Sequence, residues 1–159
     1  MGKLARDTIE KLHAGGTLAH SAAATAEELL RKHAAPHFQS HLAEVNAEGL
    51  SDDEAAAVRQ ALHSAVQKAE NVRARRNFLF VLARTGDPSV KADVEDELAA
   101  VLVEQREAAS SLWFALTALD AIGEAVFADD LQSAGIDSVE GNVRCAERYL
   151  GRLGRSIPH

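Results

Sequence analysis

The constraint that weighs most on this chain is a turn that occurs twice. Leu82 to Val90 reads Leu-Ala-Arg-Thr-Gly-Asp-Pro-Ser-Val. Leu119 to Phe127 repeats its outline thirty-seven residues later as Leu-Asp-Ala-Ile-Gly-Glu-Ala-Val-Phe. Each copy ends a helical apolar pattern in glycine, continues with an acidic residue and opens a second helical pattern. Glycine takes the left-handed conformation that closes a helix at little steric cost. In the first copy Asp87 can cap the next helix, and Pro88 presets the first helical φ. A weaker third ending, Leu150 to Gly154, comes thirty-one residues after Gly123. Units of this kind make a chain of helices joined by tight turns.

Composition agrees with that reading. Apolar residues make up 47% of the 159, but aromatics only 4%, and much of the apolar set is alanine, the strongest helix former. The β-branched runs that a sheet needs are few. The expected fold is all-α over one domain, residues 1–159, long enough to bury a real core. Cys145 is the only cysteine, which excludes an internal disulfide framework and suits a reducing compartment. The first residues are not followed by an apolar run of signal-peptide length, and no stretch reaches the roughly 18 apolar residues of a membrane span. The expectation is a cytoplasmic protein with no membrane partner.

The local signals divide the chain as follows. A helix is predicted from Lys3 to His13, ended by Gly15 and Gly16, and a second from Thr17 to about Ala34. Pro36 suits a first helical turn, so a third helix is predicted from Pro36 to Ala47, with Phe38, Leu42 and Val45 at helical spacing. Ser51 and Glu54 form a capping-box pattern ahead of Val58, Leu62 and Val66. Val72 to Thr85 is a separate helix closed by Gly86. Val90, Val94, Leu98, Val101 and Leu102 mark the buried stripe of the next. Further helices are predicted from Ser110 or Ser111 to Ile122, from Glu124 to Ser133, and after Ser138, which caps a stripe of Val139, Val143, Ala146 and Leu150.

The turn at Leu82–Val90, and its copies at Leu119–Phe127 and Leu150–Gly154, resemble the inter-helix turns of the HEAT-like family of helical repeats. The resemblance spans roughly residues 55–154, with Glu124 in place of the aspartate and no proline in the second copy. It implies stacked antiparallel helix pairs, an α-solenoid in which neighbouring pairs share the apolar face that one pair cannot cover alone. Residues 1–50 would then be amino-terminal capping helices. An irregular helical bundle whose helices end in glycine fits the same residues. The family resemblance further implies a scaffold that binds a protein or other macromolecule.

Charge is distributed unevenly. The chain's net charge is −7, which argues against nonspecific nucleic-acid binding. Met1 to Gly86 is nearly balanced, with eleven Lys/Arg and ten Asp/Glu, whereas Asp87 to Glu140 carries two Lys/Arg against thirteen Asp/Glu. Asp93, Glu95, Asp96, Glu97, Glu104, Asp120, Glu124, Asp129 and Asp130 outnumber the cations of their own segment, Lys91 and Arg106. Two readings remain: a solvated face, or a docking surface for a basic protein partner, where clustered like charge speeds association and sets specificity.

Catalytic and metal-binding patterns are weaker. His33, His37 and His41 are spaced by four, but Pro36 interrupts the helix that would align them, leaving His37 and His41 as a pair or as solvated residues. Glu10 and His13 match a Glu-x-x-His element of di-iron bundles, yet no second copy exists in the chain. Cys145 lies near Arg144 and Arg148, which could activate a thiol, and also on an apolar stripe that would bury it. Trp113 is read as core, with a binding hot spot as the alternative. No nucleophile elbow, phosphate-binding loop, dinucleotide fingerprint or paired-cysteine zinc motif occurs. The expectation is therefore a non-enzymatic protein without cofactor or bound metal that docks a basic protein through its acidic segment. Its concrete form is a bacterial immunity-type inhibitor of a basic toxin. The alternatives are a small-ligand- or metal-binding bundle using the amino-terminal histidines, and a structural subunit that self-associates through apolar helix faces.

Overall fold

The computed structural model describes residues 2–104, 109–122 and 138–154. Among them the fold is all-α, built of packed helix pairs. The helices are α1 (Lys3–Ala14), α2 (Gly16–Ala34), α3 (Ala43–Ala47), α4 (Asp52–Lys68), α5 (Val72–Arg84), α6 (Lys91–Glu104), α7 (Ala109–Ala121) and α8 (Val139–Arg152). A single 3₁₀ turn, Pro88–Val90, leads into α6. The chain divides into two compact units, Met1–Thr85 and Gly86–His159. No described helix is long and apolar enough to cross a membrane.

Helix α2 is the centre of the first unit, packing on α1, α3, α4 and α5. It can touch so many neighbours because its inner face is small. Ala19, Ala22, Ala23 and Ala26 are buried there, followed by Leu29 and Leu30, and short side chains let helix axes approach closely at native packing density. Helix α5 is different: six consecutive residues, Phe78 to Ala83, are buried, the mark of a helix whose second half is enclosed on all sides. Its ends are held by side chains. Asn71 accepts the Ala74 N–H at 2.8 Å. At the far end the Arg59 guanidinium donates to the Thr85 carbonyl at 2.6 Å, a cation on carbonyls that have no partner within the helix.

The capping box before α4 forms as the sequence predicts: Ser51 Oγ accepts from Glu54 N, and Glu54 accepts from Ser51 N at 3.0 Å. Glu54 also accepts the Gly2 N–H at 3.0 Å, and Glu48 accepts the Leu4 N–H at the same distance. The entry to α1 is thus satisfied by acids from a distant part of the chain. The two backbone hydrogen bonds hold the Glu54 carboxyl below the ordinary range.

The predicted helix from Pro36 to Ala47 is corrected: only Ala43–Ala47 is helical. Side chains replace the helical ladder in the preceding segment. Asn46 accepts from Ser40 N at 2.9 Å and donates to Ser40 O at 2.8 Å. Ser40 Oγ takes the Leu42 N–H, and Lys32 donates to the Phe38 carbonyl. Of the expected stripe, Val45 is fully buried and Phe38 and Leu42 are half-buried.

In the second unit α6, α7 and α8 pack on one another. The core is the predicted α6 stripe of Val94, Leu98, Val101 and Leu102, with Leu112, Leu116 and Leu119 of α7 and Ala146 and Leu150 of α8. Asp87 Oδ1 accepts from Ser89 N at 3.0 Å, which sets the turn before α6, and Gly86 takes the left-handed conformation at φ 88°. Gly154 does the same after α8, at φ 72°. The second turn copy from Gly123 to Phe127 and the helix predicted from Glu124 to Ser133 lie outside the described residues.

Candidate functional site

The acidic segment is sorted by its secondary structure. On α6, Asp93, Asp96, Glu97 and Glu104 recur at three-, four- and seven-residue steps, so they run along one side of the helix. Asp96 and Glu104 are exposed, Asp93 is half-buried and Glu97 is buried. Glu95 falls on the other side of the buried stripe. There its carboxylate accepts the hydroxyl of Tyr149 from α8 at 2.6 Å, a short charge-assisted bond. Glu95 therefore joins two helices rather than facing solvent alone. Asp120, near the end of α7, is half-buried, and its Oδ1 is enclosed with no hydrogen-bond partner among the described residues. Glu124, Asp129 and Asp130 lie outside the described residues. What α6 presents outward is an acidic edge of Asp96 and Glu104, with the apolar Val103 beside them, 62% exposed.

The amino-terminal histidines face separate carboxylates. His33 Nε2 lies 2.9 Å from Asp52, and His41 Nδ1 lies 2.8 Å from Glu28. Glu28, buried on α2, also accepts from Ser40 Oγ at 3.1 Å, so this group pins the non-helical segment to α2. His37 is exposed, as are Glu10 and His13. No group of three or more metal-ligating side chains converges among the described residues. Cys145 is buried. Trp113 is half-buried, its ring edge-on to Phe114 at a centroid distance of 5.5 Å.

A site that the spacing of residues does not announce lies in the first unit. A cleft of about 350 Å³ opens where the α1–α2 junction meets the α4–α5 junction, lined by Gly16, Thr17, His20, Lys68 and Arg73, with Phe78 and several alanines beneath. Its sequence signals are local and slight: a glycine pair followed by threonine, and basic residues at two helix ends. Comparison with family models, with curated proteins and with solved structures finds no match to this chain.

Proposed function

We propose that this chain is a non-enzymatic, HEAT-like helical scaffold that docks a basic protein through the acidic edge of α6. The observation that carries the reading is the separation of roles on that helix. Glu97 is buried and Glu95 is engaged by Tyr149, while Asp96 and Glu104 stay exposed on one side with Val103. An exposed apolar side chain among like charges supplies both parts of an interface, desolvated contact at the centre and steering around it. An immunity-type inhibitor that covers a basic nuclease toxin is the concrete form of the proposal, and a small acidic helical protein in the cytoplasm suits it.

The test compares the native chain with an Asp96→Lys, Glu104→Lys variant, each immobilised and exposed to source lysate at low and moderate salt. The expected result is a basic protein retained by the native chain, released as salt rises, and absent from the variant although its circular dichroism is unchanged. If that protein is a nuclease, its DNA cleavage should fall in proportion to added native chain. Equal retention by both forms would remove the acidic edge from the interface.

A further inference from the structure

The cleft in the first unit gathers side-chain nitrogen groups from three helices. His20 comes from the second turn of α2, Lys68 from the last residue of α4 and Arg73 from the first turn of α5. These residues are far apart in sequence, so only the tertiary fold brings them to one opening. His20 and Arg73 are exposed and have no side-chain partner among the described residues. Lys68 Nζ gives one hydrogen bond to the His13 carbonyl at 3.2 Å, which leaves two of its three donors. One carboxylate, Glu70, also lines the cleft, so cationic groups outnumber anionic ones there.

The backbone adds donors of its own. Helix α2 starts without a capping side chain, because its N-cap is Gly15, and its first amides have no intrahelical acceptor. The floor is apolar: Phe78, Ala19 and Ala65 line the cleft and are themselves buried. A volume of about 350 Å³ sits at the lower end of the roughly 300–1,000 Å³ typical of small-ligand sites.

We propose that this cleft binds a small organic phosphate, with the phosphoryl group held by Arg73, Lys68 and His20 and an apolar body lying over Phe78. A phosphoryl group suits donors that arrive from several directions, because it presents three strong acceptor oxygens. The site is independent of the acidic edge, since all of its residues belong to the first unit.

The experiment is isothermal titration of the full chain with phenyl phosphate, inorganic phosphate and benzoate in parallel. Saturable millimolar or tighter binding of phenyl phosphate, weaker binding of inorganic phosphate and none of benzoate is the expected order. Arg73→Ala should weaken phenyl phosphate about tenfold or more, the usual scale for a hydrogen bond between charged groups. Arg144→Ala, in the other unit, should leave it unchanged. Ala74→Leu, which fills the cleft from its α5 wall, should abolish binding while circular dichroism stays native. Failure of phenyl phosphate to saturate, equal binding of benzoate, or an unchanged affinity in Arg73→Ala would each overturn the proposal.

Discussion

The two units differ in charge balance. Met1–Thr85 carries eleven Lys/Arg against ten Asp/Glu, whereas Gly86–His159 carries six against fourteen. In the first unit the ions hold the architecture together. Arg84 of α5 makes two hydrogen bonds of 2.9 Å to Glu27 of α2, and Arg31 adds a third contact to the same carboxylate, also at 2.9 Å. Arg59 closes the end of α5, and Glu48 and Glu54 receive the amides at the start of the chain. In the second unit the described helices meet through an apolar stripe, with Tyr149 and Glu95 as a polar link, and excess negative charge faces outward on α6. A balanced set of charges can be consumed internally. A surplus of one sign exceeds the counter-ions that its own unit can offer.

Four measurements sharpen or break that contrast. The largest effect belongs to packing. Leu79→Ala in α5, where the side chain is 1% exposed, should cost about 2–5 kcal/mol in urea unfolding, the range for a leucine cavity. A loss below about 1 kcal/mol would mean that the second half of α5 is not enclosed as described.

Next is the ion network. Arg84→Ala strips the paired donors from Glu27 and leaves a largely buried carboxylate with Arg31 alone, at an expected cost of about 1–3 kcal/mol. The pH dependence follows from the same pair. Burial pushes the Glu27 carboxyl up, but the hydrogen bonds and charge of Arg84, helped by Arg31, outweigh it and hold the group below the ordinary carboxylate range. A carboxylate depressed in the folded state contributes stability that is fully present above the ordinary carboxylate range and is lost as pH falls through the lowered value. Thermal melts taken from about pH 6 down to about pH 3 should therefore fall more steeply for the native chain than for Arg84→Ala. Parallel curves would show that the network does not carry the acid sensitivity.

Loss of the capping box comes third. Ser51→Ala should lower stability by about 1 kcal/mol, read from the urea midpoint at unchanged slope. The smallest effect is expected in the second unit. Asp96→Lys, at an exposed position of α6, should change stability by no more than about 0.5 kcal/mol while altering partner binding. A large loss of stability there would make the acidic edge part of the fold's own support.

Much of the fold is legible because its signals are local. Ser51 with Glu54, Asn71 before α5, Asp87 with Pro88, Ser138 before α8 and the glycines at 86 and 154 each act on backbone within a few residues. The segment from Pro36 to Leu42 shows where that logic stops. Its proline and apolar spacing favour a helix, but Asn46, Glu28 and Lys32 supply hydrogen bonds that a helix would have to forgo, and tertiary partners override propensity.

The candidate sites were legible only as inventories. Spacing places Asp93, Asp96 and Glu104 on one side of a helix, and composition counts their charge. Neither shows that Glu95 turns to Tyr149, fifty-four positions away, or that Glu97 is buried. The cleft is hidden for the same reason, since Thr17 and Arg73 belong to different helix junctions. By itself the sequence determined helix type, the capped and glycine-closed helix ends and the surplus of negative charge, because those depend on neighbours in the chain and on sums. Tertiary structure alone decided which charges are consumed and which cations share a cleft. Those outcomes depend on contacts between distant residues, and a contact forms only when the helices that carry it have packed.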